Sequence, residues 1–222
     1  MAPRRAARDV ASRREQILDL AVDEASSHGL EGLTIGRLSS LAGMSKSGLF
    51  AHFGSKEELQ VASVQHARDR FREEVWERVD EISPGVTRLR SMLRTWIEHI
   101  ECGELRGGCF FAAASSEFDG RPGPVRDNVA QLIQSWVKYL EKEIDVASGM
   151  GQLRSEIETS LLAFELHACV QEANLYRQLF RRDDAFDLAR TAIDSKLHWA
   201  STDKGRDELN REIVSTDEGA GQ

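Results

Sequence analysis

The stretch Leu33-Thr34-Ile35-Gly36-Arg37-Leu38-Ser39-Ser40-Leu41-Ala42-Gly43-Met44-Ser45-Lys46-Ser47-Gly48-Leu49-Phe50-Ala51-His52-Phe53-Gly54-Ser55-Lys56-Glu57-Glu58-Leu59 decides how the chain is read. It predicts two short helices and the start of a long one. Thr34 is a good N-cap for the first, which carries Ile35, Leu38 and Leu41 at helical spacing. Ala42-Gly43-Met44 makes the turn, with Gly43 free to take positive φ. Ser45 caps the second, with Leu49 and Phe50 inward, and His52-Phe53-Gly54 ends it. Ser55 and Glu58 form a capping box that opens a helix running to about Glu81. Two short helices joined by a tight turn and packed on a preceding amphipathic helix make a helix-turn-helix. In that motif the second helix enters the DNA major groove with its N-terminal residues foremost. Here those residues are Ser45, Lys46, Ser47 and Gly48. They are small or basic, so the helix end can approach closely and donate to phosphates or base edges.

The charge distribution agrees with this, although the net charge of −8 argues against it at first sight. No acidic residue lies between Glu31 and Glu57, where Arg37, Lys46 and Lys56 supply the only charges. Arg4, Arg5, Arg8, Arg13 and Arg14 outweigh Asp9 and Glu15 at the start of the chain. A polyanion responds to the field at the docking face, so an acidic remainder does not exclude nucleic acid. Upstream, Ser12 and Glu15 read as a capping box opening the first helix, with Ile17, Leu20, Ala21 and Ala25 on one face and a stop at His28-Gly29.

Downstream the spacing remains helical and no alternating strand pattern survives, so the fold class is all-α with about nine helices. Ser83-Pro84-Gly85 is a firm break. A helix follows from about Val86 to Glu101, then the apolar run Cys109 to Ala114, the turn Asp119 to Pro124, and a long helix to about Val146. Two further helices span roughly Ser155 to Phe180 and Asp184 to Ala200. From Ser201 the chain is polar, with Leu209, Ile213 and Val214 its sizeable apolar residues, and a mobile tail is expected. Three domains result: 1–55 the arm and helix-turn-helix, 56–200 a helical sensing and dimerising domain, and 201–222 the tail. No run approaches the ~18 apolar residues of a membrane span, and no apolar signal segment follows the basic N-terminus, so a cytoplasmic protein is expected.

The stretch from Glu15 to Leu59 resembles the N-terminal signature of the tetracycline-repressor (TetR) family of transcriptional regulators. The resemblance implies that Thr34, Ser45, Lys46, Ser47, His52 and Lys56 fall where family members meet the DNA backbone or base edges. Arg37 is added from its place on the exposed side of the second helix. Many relatives carry a tyrosine where this chain has Phe50, and its hydroxyl reaches a phosphate, a hydrogen bond that Phe50 cannot make. The resemblance also implies a larger portion that binds a small-molecule effector and forms a homodimer, and a repressor released from a palindromic operator by that effector. Dimerisation follows independently from the gain in affinity when two heads are placed about 34–36 Å apart. The best interface candidates lie on the last two helices, at Leu161, Glu165, Ala168, Leu188, Ala192 and Leu197, the alternative being that these stripes bury within one subunit.

For the effector pocket the candidates are Met92, Trp96, Phe110, Phe111, Glu117, Phe118, Trp136, Phe164 and His167, residues of mid-domain helices that could enclose an apolar cavity. Each taken singly also reads as ordinary core. Glu117 would suit a cationic lipophile and His167 an acyl or aromatic acid. His99, Cys102 and Cys109 suggest a metal or thiol sensor, but H-x2-C-x6-C matches no paired-knuckle zinc pattern and lacks a fourth ligand. No metal or cofactor is expected. With no nucleophile-elbow, metalloprotease, Walker or Rossmann pattern, an enzyme is not expected either.

Overall fold

The computed structural model describes residues 2–103 and 105–219, with side chains over 11–103 and 105–211. Among them are ten α-helices: α1 (Ala2–Gly32), α2 (Ile35–Leu41), α3 (Lys46–Phe53), α4 (Lys56–Phe71), α5 (Val86–Glu101), α6 (Phe110–Phe118), α7 (Pro124–Gly149), α8 (Thr159–Phe180), α9 (Ala185–Ala200) and α10 (Asp203–Gly219). The helix expected to reach Glu81 is regular only to Phe71. A π-helical turn, Arg72–Trp76, and a 3-10 turn, Glu77–Val79, complete it.

The chain folds as two compact units, Met1–Phe71 with Gly103–Ile133, and Arg72–Cys102 with Gln134–Gln222. The boundary expected at residues 55 and 56 is therefore not where the backbone divides. Helices α4 and α6 both pack on α1 in the first unit. The core of that unit is Ile17, Leu18, Ala21, Leu33, Leu38, Leu49, Phe53, Leu59 and Ala62. On α1, α3 and α4 these residues recur at three- and four-residue spacing, α2 contributes Leu38, and Leu33 lies in the link between α1 and α2. One inward assignment is corrected, since Phe50 is exposed, and Leu41, at helical spacing with Leu38, is exposed as well. The seven residues of α2 have room for little more than one inward stripe, and Leu38 occupies it. On α3, Leu49 and Phe53 hold the inward positions, and Phe50 lies about 100° further round.

The capping box at Ser12 is not used, because α1 already runs from Ala2 and Ser12 lies inside it. Arg4, Arg5 and Arg8 have side chains outside the described residues. Gly29 ends the regular part of α1 with φ 76°, a conformation that favours glycine.

In the second unit α8 and α9 pair along their length, and α5 packs against both. The core includes Leu89, Met92, Leu93, Trp96, Ile97, Leu140, Ile144, Leu162, Leu166, Val170, Ile193 and Leu197. Where a mobile tail was expected from Ser201, the backbone instead enters α10. The Arg154 amide donates to the Ala200 carbonyl at 2.9 Å, and the Thr202 amide to that of Gln152 at 3.0 Å. Gly205 lies so close to Gln152 that a Cβ there would stand 2.1 Å from its carbonyl oxygen. Leu209 is fully buried, and Lys204 donates to the Met150 carbonyl at 2.8 Å, so one apolar side chain and a few polar contacts hold the start of this polar helix. Ile213 and Val214 have side chains outside the described residues. No described helix is long and apolar enough to cross a membrane.

Candidate nucleic-acid interface

The helix-turn-helix forms as its sequence dictates. Thr34 is extended and its hydroxyl accepts the Arg37 amide at 3.2 Å, satisfying a free N–H at the start of α2. Gly43 turns the chain with φ 63°. Ser45 is extended and accepts the Gly48 amide at 3.1 Å, and its hydroxyl stands 3.1 Å from that of Ser47. Gly54 closes α3 with φ 71°, and Ser55 accepts the Glu58 amide at 3.0 Å to begin α4. Thr34, Arg37, Ser45, Lys46 and Ser47 are all exposed, while His52 is half-buried beside Phe53, ring centroids 6.2 Å apart.

The four cations of this face are not equivalent. Lys46 has no ion pair among the described residues. Its stem lies over α2 at Gly36, where an added Cβ would stand 3.4 Å from Cε. The Arg37 guanidinium instead pairs with the buried Glu24, and its other nitrogen stands 3.4 Å from His28 Nε2. Lys56 donates to the Glu31 carbonyl at 2.7 Å and pairs with the Glu31 carboxylate at 2.8 Å. A lysine in the first turn of a helix, unfavourable for the dipole, is thus explained within the chain, and no phosphate is needed to account for it. The hydrogen bond from Lys56 also holds the Glu31 carboxyl below its ordinary range. The fourth, Arg13, adds charge to the basic N-terminus and has a structural role that the sequence does not show. It donates to the Ala42 carbonyl at 2.7 Å and so ties α1 to the turn that precedes α3. Its neighbour Arg14 lies over the Phe53 ring at 5.1 Å. The spacing of these arginines in sequence carries no sign of either partner.

The nine pocket candidates do not fall in one unit. Phe110, Phe111, Glu117 and Phe118 belong to the first, and the three phenylalanines are buried there, Phe111 edge-on to Phe71 at 5.8 Å. Glu117 is not free to anchor a ligand. Its two oxygens accept the Leu30 amide at 2.7 Å and the Glu31 amide at 3.0 Å, just beyond the break in α1. In the second unit Met92, Trp96 and Trp136 are buried, but Phe164 is 68% exposed and lines no enclosed space. Trp136 stacks on Trp76 at 5.9 Å, Trp96 meets Trp136 edge-on at 5.3 Å, and His167 lies 5.3 Å from Trp96. Trp76 and Tyr139, 5.2 Å apart, extend this aromatic wall. Trp76 sits on the irregular turn that follows α4, where the sequence reads regular helix, and Tyr139 lies three residues after Trp136 on α7. Burial and the neighbouring Asp80 carboxylate push the Tyr139 phenol up to about 12.

Burial lowers the pKa of His167 below its ordinary 6.5. The unfolded chain therefore takes up a proton there before the folded chain does, and stability is lost as pH falls through that ordinary value. Between pH 7.5 and 5.5 the wild-type melting temperature is expected to fall further than that of His167→Gln. Equal falls in both proteins would remove His167 as the cause.

Of the interface candidates, Leu161 and Leu188 are exposed, and Ala168 and Ala192 line a shallow apolar cleft between α8 and α9 with Cys169 and Tyr176. Glu165 pairs with Lys196 at 2.8 Å. Leu197 is withdrawn, because it is fully buried inside its own subunit. Phe164, Leu175 and Leu179 stand exposed on the same helix as Leu161. The sensor alternative loses its histidine, since His99 pairs with Glu74 at 2.8 Å. Cys102 is exposed and Cys109 buried, and no three His, Cys, Asp or Glu residues cluster as metal ligands among the described residues.

Comparisons with known proteins place both parts of the chain. The family model "Bacterial regulatory proteins, tetR family" matches residues 17–62, and "Tetracyclin repressor-like, C-terminal domain" matches residues 85–193. The HTH-type transcriptional repressor DhaR of Mycobacterium sp. (strain GP1) is 24% identical over 185 residues, covering 83% of this chain and 91% of that one. Among solved structures, a TetR transcriptional regulator from Chloroflexus aurantiacus superposes with a TM-score of 0.81 at 22% identity, over 87% of this chain and 98% of its own. AibR, solved in complex with isovaleryl coenzyme A and operator DNA, gives a TM-score of 0.66 at 24% identity, over 82% of this chain and 96% of its own.

Proposed function

The chain belongs to the tetR family of bacterial regulatory proteins, and from that premise we propose that it is a cytoplasmic, homodimeric repressor that a small molecule releases from a palindromic operator. The observation that carries the reading is the exposed N-terminal turn of α3, where Ser45, Lys46 and Ser47 stand clear of any carboxylate partner among the described residues. Thr34 and His52 flank that turn, and Arg37 and Lys56 add positive potential from positions already tied to Glu24 and Glu31. The exposed apolar residues of α8 and α9, Leu161, Phe164, Leu188 and Ala192 among them, together with the half-buried Ala168, support an isologous dimer interface. The wall formed by Trp76, Trp96, Trp136, Tyr139 and His167 supports an apolar or aromatic effector. A cationic ligand anchored by Glu117 is not supported, because that carboxylate is occupied. The effector would act by favouring a conformer whose two recognition helices no longer match successive major grooves.

The test is binding to duplexes selected from a randomised pool, measured across a salt series. Removing one lysine–phosphate pairing lowers the slope of log affinity against log salt by about 0.9. Lys46→Ala is expected to lower the slope by about one unit in each half-site. Lys56→Ala is expected to lower it by less, because its ammonium is shared with Glu31. If the wild-type protein enriches no duplex at moderate salt, the regulator reading fails.

A further inference from the structure

We propose that Phe50 is a specificity-determining residue that packs on the 5-methyl group of a thymine in the major groove. The proposal rests on the reading of α3 as the recognition helix and says what one face of that helix reads.

Leu49 is fully buried and Phe53 nearly so, while Phe50 between them is 53% exposed. The ring therefore takes no part in the core of the first unit. Phe50 lies four residues after Lys46 and three after Ser47, so the three share one face of α3. A single exposed apolar residue is ordinary on a protein surface. This one, however, stands on the face that also carries the Lys46 ammonium and the Ser47 hydroxyl. Its neighbours Ser47, Gly48 and Ala51 are small and leave the ring prominent. Helical side chains lean toward the N-terminus and cover the turn before their own Cα. Phe50 thus leans over the turn of Lys46 and Ser47, the part of α3 that enters the groove first.

A phenyl ring has no polar atom with which to hydrogen-bond a phosphate or a base heteroatom. Among the base edges that line the major groove, the thymine 5-methyl is the hydrocarbon feature. An apolar side chain directed at the groove floor therefore discriminates thymine from the other bases. Burying one methyl equivalent is worth about a fourfold change in affinity, and a dimer would apply that factor in each half-site.

Parallel selections from a randomised duplex pool, one with the wild-type protein and one with Phe50→Ala, make the test. The wild type is expected to enrich thymine at a position where Phe50→Ala shows no preference. On the wild-type duplex, replacing that thymine with uracil, which lacks only the methyl group, should weaken wild-type binding about fourfold per half-site and leave Phe50→Ala unchanged. Phe50→Leu, which keeps an apolar tip, should retain part of the thymine preference. Identical selected sequences for the wild type and Phe50→Ala, or equal uracil effects in both, would overturn the proposal while the regulator reading stands. Failure of the wild type to enrich any sequence would instead overturn the regulator reading.

Discussion

Replacing Glu117 with alanine is expected to destabilise the first unit by about 1.5–3 kcal/mol, the range for losing hydrogen bonds to a charged group, here one to the partly buried Leu30 amide and one to the exposed Glu31 amide. The carboxylate sits where α1 breaks at Gly29 and accepts the next two amides in the chain, those of Leu30 and Glu31. Gly29 combines φ 76° with close approach to this carboxylate, since a Cβ there would stand 2.8 Å from Oε1. The same short segment is gripped from α4, where Gln60 donates to the Leu30 carbonyl at 2.8 Å and Lys56 to that of Glu31 at 2.7 Å. Loosening one anchor therefore weakens the setting of the others. Glu117→Gln keeps one acceptor oxygen but points an NH2 group at the second amide, so it should recover about half of the stability. Hydrogen exchange at Leu30 and Glu31, read beside the thermal melt, is the measurement. Unchanged protection at both amides together with an unchanged melting temperature would show that the carboxylate does not hold this turn.

Glu117 also marks the limit of what is legible in the sequence. The helix-turn-helix is legible because its signals are local: Thr34, Ser45 and Ser55 are caps, Gly43 makes the turn, Gly54 ends the second helix, and Ile35 and Leu38 stand at helical spacing. Each constrains residues within one or two turns, and each appears in the structure as read. Phe50 reads as inward because α3 has only two turns. In so short a helix one apolar residue too many leaves the inward face ambiguous. The roles of Glu117, Lys56 and Arg37 are not legible, because an acid or base shows nothing in sequence of a partner far along the chain. Glu117 is 86 residues from Glu31. In each case sequence reasoning supplies a ligand where an internal ion pair or hydrogen bond already stands. The tail misleads for the opposite reason. Its polar composition argues for disorder, but the close approach of Gly205 to Gln152 and the burial of Leu209 dock α10 with very little apolar surface.

Leu49→Ala should have the largest effect on function, abolishing sequence-specific binding although Leu49 touches no DNA in the proposed reading. Its side chain is fully buried in a core that also holds Ile17, Leu38, Phe53 and Leu59. Truncation there costs about 2–5 kcal/mol in lost burial and residual cavity. The eight residues of α3 are too few to hold a helix in water without tertiary packing, since isolated helices shorter than about 12 residues are marginal. The Ser45 cap is worth about 1 kcal/mol, so it cannot offset the loss. The helix is then expected to fray and carry Lys46 and Ser47 out of register together, whereas Phe50→Ala, one residue away and exposed, should leave it folded. All four tryptophans of the chain, Trp76, Trp96, Trp136 and Trp199, lie in the second unit. Native tryptophan emission at the assay temperature therefore reports that this unit is intact, while amide exchange along α3 reports the fraying. Retained operator affinity in Leu49→Ala, or loss of native emission alongside loss of binding, would contradict the claim that Leu49 acts by holding the recognition helix in place.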